Sequence, residues 1–371
     1  MKKTNIDDKA SRNTFILGVV SLLAFILFFC NSDIAIEYMK KGLKLCATSV
    51  IPSLFPFMVI SELIVKSSLS YKIGKFIKYP MSALFGVSEA GGCAFILGIL
   101  CGFPIGAKSA LSMYDSGVID KDELERLLCF CNNPGSAFII SAVGISLFGN
   151  RYVGLLLYVC IILSSITVGI LINVSLRKTK KEPLRRAYVY APHKDTVSVF
   201  TSAVSSSAIS MLTVCAYVVF FSSLVGCISS FLHSLSLPTA IRALVFGFFE
   251  MTSGVSAATE VKNIEVSLVL CALFTAWSGL SVHFQIMTIC SGRSLSFKKY
   301  FVAKAVQGLI CALFMVVSLH FVFPHLVSIS EDTFMQSGGV LTLHNAVLSC
   351  ISFFVASVAA IIWGLRSKSR I

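Results

Sequence analysis

Long stretches of the chain contain no charged residue. These runs cover residues 13–32, 152–176, 266–292, 305–330 and 333–365. Each one is as long as the roughly 20 residues that a helix needs to cross the hydrocarbon core of a membrane. The pattern predicts an all-α integral membrane protein with about eight spanning helices, when shorter or interrupted apolar segments between these runs are included.

The composition supports this reading. Hydrophobic residues make up 56% of the chain and charged residues only 13%, whereas a soluble domain carries about 25% charged residues. So few charges cannot cover a water-facing surface, which excludes a soluble enzyme. Most of the 13 cysteines stand singly in apolar segments, where cysteine acts as a small hydrophobe, and we expect neither a metal site nor a cofactor.

The net charge of +13 comes from basic residues between the apolar runs. Lysine and arginine in such loops face the cytoplasm and meet anionic lipid, so they indicate topology and a lipid bilayer partner rather than nucleic acid. We expect a multi-pass protein of the cell membrane with both termini in the cytoplasm. The predicted units are 1–44 (a membrane helix and an interfacial segment at 33–44), 45–176, a basic cytoplasmic loop at 177–194, 195–324, and 325–371 (a membrane helix at 341–364 and the tail).

Four apolar segments are interrupted by helix-breaking or polar residues. Gly102 and Pro104 divide a segment into arms at 90–102 and 104–116, and Thr252-Ser-Gly divides 240–262. With all basic clusters inside, both segments must be re-entrant hairpins. The spans 127–149 and 264–290 are broken at Asn132-Asn-Pro-Gly and Trp277-Ser-Gly.

The two halves share the order span, broken hairpin, broken span, span. The positive clusters give them opposite orientations, so 45–176 and 195–324 are predicted to be inverted repeats, the arrangement that marks a central site in secondary transporters. The alternative is that Gly, Ser and Pro merely permit close helix packing or kinks.

The breaks are the predicted site. Backbone groups freed by a broken helix in the membrane must face protein or a wet cavity, so the four breaks are expected to offer N–H and C=O groups to one interior place. Glu250 is an acid in an apolar setting and predicts ion coupling or solute contact; alternatively it lies at a hairpin mouth or pairs with Arg242. The predicted substrate- or ion-binding residues, none of them catalytic, are Glu250, Asn132, Asn133, Ser253, Gly254, Gly102, Pro104, Ser278 and Gln285.

Three further features have plainer interpretations. Lys108 either belongs to the site or extends its side chain to the cytoplasmic interface. His283 is read as a hydrogen-bonded packing residue rather than a ligand. Asp120 and Glu123 have the spacing of a helix N-cap with a capping box, and we assign them no chemistry.

Several motifs resemble those of the YlbJ-type sporulation integral membrane proteins. In the first half these are Pro52-Ser-Leu-Phe-Pro-Phe, Gly98-Ile-Leu-Cys-Gly-Phe-Pro-Ile-Gly-Ala and Leu127-Leu-Cys-Phe-Cys-Asn-Asn-Pro-Gly-Ser-Ala-Phe. In the second half they are Gly247-Phe-Phe-Glu-Met-Thr-Ser-Gly and Trp277-Ser-Gly-Leu-Ser-Val-His-Phe-Gln. The resemblance covers about residues 45–320. It implies a nucleoside recognition (Gate) domain, which is similar to repeat units of nucleoside and ferrous-iron transporters.

Together these observations predict a transporter-like membrane protein of sporulation that binds or passes a small polar solute between inverted repeats. Glu250, Asn132 and Asn133 would form the centre of the site. Homo-oligomers or other membrane proteins are further partners that this architecture allows. The alternative is a structural or assembly protein of the developing spore envelope that does not transport. The sequence lacks the motifs of hydrolases, metalloproteases and nucleotide-binding enzymes, so we expect no enzymatic activity.

Overall fold

The computed structural model describes residues 2–176 and 195–322. Regular structure in these two stretches is helical, in agreement with the predicted all-α class. The predicted basic loop at 177–194 and the predicted final helix at 341–364, with the rest of 325–371, lie outside the described residues.

The helices follow one another with short connections. Their bounds are α1 Lys2–Cys30, α2 Ser32–Leu45, α3 Ile51–Val65, α4 Ser68–Phe76, α5 Lys78–Pro80, α6 Glu89–Cys101, α7 Ile105–Asp115, α8 Lys121–Leu128, α9 Arg151–Leu176, α10 Thr196–Ser234, α11 Thr239–Phe249, α12 Met251–Thr259, α13 Ile264–Trp277, α14 Gly279–Ile289 and α15 Lys298–Val322. Three π-helical segments lie among them, at Cys46–Val50, Met81–Phe85 and Phe138–Leu147.

The described part of the chain contains several helices that can cross a membrane. Five are long and apolar enough, or up to six if one pair bent by 93° counts as a span. The five are Ser32–Val65, Arg151–Ser175, Thr196–Ser234, Ile264–Ile289 and Lys298–His320. The protein is therefore a multi-pass membrane protein, while the number of about eight spans and the re-entrant hairpins remain predictions.

In the N-terminal region, α2 and α3 form one continuous helical segment. The stretch 33–44 is part of α2, which continues through a π-helical turn into α3 as one 34-residue segment, and its interfacial position stays a prediction. Gly42 brings α2 close to α10: a Cβ on this glycine would lie 3.2 Å from Val219 Cα. The Ser223 hydroxyl donates to the carbonyl of Ala35 over 3.2 Å, so α2 is packed within the helical bundle.

Two large clusters of buried apolar side chains, and a small third one at Cys46, Val214 and Val218, form the core of the described residues. One large cluster joins α3, α6, α7 and α8, and the other joins α9, α11, α12, α13 and α15. Phe103, at the connection between α6 and α7, packs against both large clusters. The tip of this helical pair thus lies where these two clusters meet.

The acidic start of α8 has a different role from the predicted capping box. Asp120 caps the helix as expected, since its Oδ1 accepts from Glu123 N over 2.7 Å. The Glu123 side chain, however, is buried and accepts from Ser88 N over 2.7 Å, so it connects α8 to the start of α6. Burial raises the pKa of the Glu123 carboxyl above its ordinary value.

Hydrogen bonds also fix residues 293–296, which precede α15. The Arg293 guanidinium forms two hydrogen bonds with the Asp115 carboxylate at the end of α7, of 2.9 and 2.5 Å. Ser296 N donates to Glu125 Oε1 of α8 over 2.8 Å. These bonds position the beginning of α15 against α7 and α8.

Candidate functional site

The first predicted helix break lies where the sequence placed it. α6 ends at Cys101 and α7 starts at Ile105, with Gly102 at φ +85° between them. This backbone region favours glycine, and a Cβ on Gly102 would overlap the backbone nitrogen of Gly135 and lie 2.5 Å from its Cα. The Gly102–Pro104 tip therefore packs tightly against the second predicted break of the first half.

The carbonyl groups at the end of α6 are not free. The Tyr158 hydroxyl donates to Ile99 O over 2.8 Å, and the Ser136 hydroxyl donates to Leu100 O over 3.2 Å. The expectation that each break offers unpaired backbone groups is wrong for these carbonyls, because neighbouring side chains satisfy them.

Asn132 and Asn133 lie in an irregular segment after α8 that is fully enclosed. The Asn133 Nδ2 donates to Phe130 O over 2.9 Å and to Ser165 Oγ over 3.1 Å. Its Oδ1 accepts from Gln307 Nε2 over 2.7 Å. The segment is thus held between α9, which carries Ser165, and α15, which carries Gln307.

Lys304 is a completely buried lysine in the same region. It lies on α15 with 0% of its surface exposed, and its Nζ donates to Asn132 O over 2.9 Å and to Gln307 Oε1 over 2.8 Å. Both acceptors are neutral, and among the described residues Lys304 forms no ion pair. A lysine enclosed inside a membrane protein without a carboxylate partner is costly to keep charged, and such a residue marks a functional position.

Unused polar atoms lie close to this lysine. The Asn132 side chain is completely buried, and neither its Nδ2 nor its Oδ1 has a hydrogen-bond partner among the described residues. Tyr300, one turn before Lys304, donates to or accepts from His283 Nδ1 over 2.9 Å. The other ring nitrogen of His283 has no partner in the described part of the chain. Such unpaired buried groups are rare in proteins and are often satisfied by water or a ligand.

The second-half break lies two residues before its predicted position. α11 ends at Phe249 and α12 starts at Met251, so Glu250 itself separates them. Its carboxylate is 2% exposed and caps α12: Oε1 accepts from Thr252 N over 3.0 Å, and Oε2 accepts from Ser253 N over 2.7 Å. The Thr252 and Ser253 hydroxyls also donate to Oε2.

Gly254 was predicted to break this segment, but it lies inside α12. A Cβ on Gly254 would lie 2.6 Å from Gly247 N, so the two glycines allow α11 and α12 to touch. Gly98 and Gly106 have the same role in the first half, where a Cβ on Gly106 would lie 2.8 Å from Gly98 Cα. Both helical pairs are therefore closed by a contact between glycine backbones.

The break at Ser278 packs against Glu250. Ser278 has a left-handed backbone with φ +77°, and a Cβ on Gly279 would lie 3.2 Å from Glu250 Cα. Trp277 Nε1 donates to Phe248 O over 3.2 Å, which satisfies a carbonyl at the end of α11.

The structure thus brings the predicted residues together in two groups rather than one. The first group contains Gly102, Pro104, Asn132 and Asn133, and the second contains Glu250, Ser253, Gly254 and Ser278. No hydrogen bond between described residues joins the Glu250 carboxylate to either asparagine. Gln285 belongs to neither group through a hydrogen bond: its Nε2 donates to Ser281 Oγ over 3.3 Å, and its Oε1 has no partner among the described residues.

Sequence reasoning missed Lys304 and Gln307. Lys304 follows Lys298 and Lys299 closely and therefore reads as the end of a basic flank. The available signal was the spacing of Lys304 and Gln307, which lie three residues apart on one face of an otherwise apolar helix.

One comparison with known proteins gives a clear match. Sporulation integral membrane protein YlbJ of Bacillus subtilis (strain 168) is 27% identical to the chain over 334 residues, which cover 81% of the chain and 82% of that protein. The similarity supports the YlbJ-type family. No family model matches the chain, and no solved structure matches it.

This match bears directly on the resemblance in the sequence motifs. The match supports the YlbJ-type resemblance, and the chain is a polytopic membrane protein that is similar to a sporulation integral membrane protein. Membership of the nucleoside recognition (Gate) domains remains a prediction.

Proposed function

We propose that this YlbJ-like protein binds and passes a small polar solute during sporulation, and that the solute carries a negatively charged group. The observation that carries the proposal is the buried Lys304 amino group, whose described partners are neutral oxygens. A solute anion beside this amino group would stabilise its protonated form, as a partner carboxylate would. Binding and passage require no chemical conversion.

The groups around Lys304 suit such a solute. The side-chain amide of Asn132 has a free donor and a free acceptor, and His283 has a free ring nitrogen among the described residues. In a water-poor site, a charge-assisted contact provides affinity and neutral polar groups provide orientation. Gln307 holds both Lys304 and Asn133, so it would position the site rather than bind the solute directly.

The arrangement of broken helices supports transport. In each half, a helical pair closed by glycines packs with its tip against the break of the next segment, at Gly135 and at Gly279. Corresponding breaks in two halves are typical of secondary transporters with inverted repeats, in which one unit moves relative to the other around a central site. The likeness of the two packing arrangements supports the predicted repeat.

The second candidate function is a structural or assembly role in the spore envelope. It is favoured by Glu250, whose carboxylate is fully used in capping α12, and by the satisfied carbonyls at the end of α6. A scaffold needs such internally satisfied breaks but does not need an uncompensated buried lysine.

The two candidates differ in what they predict for Lys304→Gln. This variant keeps a polar side chain and removes the charge, while Lys299→Gln is the matched control because Lys299 is an exposed lysine on the same helix. Both variants are expressed in a sporulating host that lacks its own relative, and membrane levels are measured beside sporulation. We expect Lys304→Gln to accumulate and fail to restore sporulation, and Lys299→Gln to restore it. Full restoration by Lys304→Gln would contradict the proposal and favour the structural role.

A further inference from the structure

A second buried group of charges lies apart from the Lys304 site. Glu62 of α3 forms ion pairs with two lysines: Lys66 Nζ lies 3.2 Å from its Oε1, and Lys108 Nζ of α7 lies 3.6 Å from its Oε2. Lys108 Nζ also donates to Ser207 Oγ of α10 over 3.4 Å. Glu62 and Lys108 are 7% and 9% exposed, so this ion pair lies inside the protein where α3, α7 and α10 meet.

The charges of this group do not balance. Two ammonium groups share one carboxylate, which leaves a net charge of about +1 at a buried position. Loss of a proton from Lys108 would leave the closer Glu62–Lys66 pair intact and bring the net charge to zero. Lys66 is the more exposed of the two lysines, with 24% of its side chain accessible against 11% for Lys108, so it keeps its charge at a lower cost.

We propose that Lys108 is a proton-binding site that couples proton movement to the passage of the solute. The Lys108 ammonium gives its proton to water and becomes a neutral amine that still reaches Ser207, and the reverse step restores the ion pair with Glu62. No other bond is made or broken. The transport role of the proton rests on the proposed function, whereas the protonation step itself does not.

Other charged groups near α7 are already engaged. The helices packed against α7 include α6 and α8, whose buried or partly buried acids are Glu89, Glu123 and Glu125. Glu125 accepts from Ser296 N over 2.8 Å. Glu89 pairs with Lys78 over 3.2 Å, and Glu123 accepts from Ser88 N. Among the described residues, the charged groups that act on Lys108 are Glu62 and Lys66 of α3.

α7 connects this group to the Lys304 site. Lys108 lies one turn after the Gly102–Pro104 tip, and that tip packs against Gly135. Gly106, between the tip and Lys108, packs against the carbonyl of Cys131, which directly precedes Asn132. A change in the contacts of Lys108 with α3 and α10 therefore shifts α7 against the segment that contains Asn132. The backbone carbonyl of Asn132 is the one that accepts from Lys304.

Proton titration of the purified full chain in detergent tests the protonation step. We expect the wild type to release about one proton more than Lys108→Gln at pH values below those at which an ordinary lysine titrates. Lys108→Arg keeps the ion pair with Glu62 and also loses this step, which guards against a folding defect. Lys304→Gln retains it. Superimposed curves for wild type and Lys108→Gln below about pH 9 would overturn the inference, as would loss of the step in Lys304→Gln alone.

Amide hydrogen exchange of residues 101–106 tests the coupling to the tip. After correction for intrinsic exchange, we expect protection of this segment to change across the same pH range in the wild type and to stay constant in Lys108→Arg. Equal pH dependence in both proteins would overturn the coupling. The two proposals can fail independently. If Lys304→Gln restores sporulation, the solute site is refuted but the titration of Lys108 is not. If the wild type and Lys108→Gln titrate alike, the proton site is refuted but the solute site is not.

Discussion

Glu250→Gln separates a capping role of this carboxylate from a solute-binding role. The two oxygens of Glu250 accept separately from Thr252 N and Ser253 N. The single oxygen of glutamine can keep one of these bonds, so one amide donor loses its partner, at a cost of about 1–3 kcal/mol. Loss of the negative charge at the N-terminus of α12 adds about 0.3–1 kcal/mol. We therefore expect the free energy of unfolding to fall by about 1–4 kcal/mol.

Tryptophan fluorescence provides the assay. Trp277 donates to Phe248 O and its ring stacks on Phe248 with centroids 5.9 Å apart, so it reports on the packing of this break. Denaturant unfolding in detergent is followed in a Trp363→Phe background, which removes the other of the two tryptophans. Glu260→Gln is the matched control, since Glu260 is exposed at the end of the same helix, and we expect its effect to stay within about 0.5 kcal/mol.

The capping interpretation fails if Glu250→Gln unfolds like the wild type. If it does so and also abolishes sporulation, Glu250 acts on the solute or a coupling ion, as its position in the sequence first indicated. If it unfolds earlier but restores sporulation whenever it accumulates, the capping role is sufficient to explain the residue.

Two further variants test the packing of the first half. Gly102→Ala places a Cβ against the backbone of Gly135 at a positive φ, so we expect the free energy of unfolding to fall by at least about 1–3 kcal/mol, or the variant to fail to accumulate. Gly18→Ala is the control, because no atom lies within 4 Å of its new Cβ, and it should have no such effect. Thermal unfolding of the two variants makes the comparison. Glu123→Gln keeps an acceptor for Ser88 N and removes a buried charge. Because the pKa of Glu123 is raised in the fold, the stability that the protonated acid contributes is present below about pH 4 and lost as the pH rises through the folded value. As the pH rises through this range, the free energy of unfolding of Glu123→Gln should therefore increase relative to that of the wild type. A difference that stays constant with pH would contradict this.

Local sequence signals predicted most helix breaks but not every position. Gly102 and Pro104 identify a break because proline lacks an N–H and glycine adopts a positive φ. Gly254 misled the prediction, since it serves close packing against Gly247 within a continuous helix. The sequence does not distinguish a glycine that ends a helix from one that allows two helices to pack closely. Only the tertiary contact distinguishes the two roles.

The centre of the candidate site depended on contacts that no local pattern contains. Lys304 meets the Asn132 carbonyl across 172 positions of the chain, and Gln307 meets Asn133 across 174. The asparagines were predicted because two adjacent amides before a Pro-Gly pair are polar in an apolar context. The lysine was not, because its partner is a backbone carbonyl, which every residue has.

Anion-dependent stabilisation of the purified protein tests the central claim most directly. Thermal unfolding of the wild type, Lys304→Gln and Lys299→Gln is measured with acetate, succinate, inorganic phosphate and uncharged glucose. A bound ligand at about 100 times its Kd stabilises by about 2.7 kcal/mol. The account predicts that an anion stabilises the wild type and Lys299→Gln but not Lys304→Gln. Equal stabilisation of Lys304→Gln, or stabilisation by glucose and by none of the anions, would contradict it.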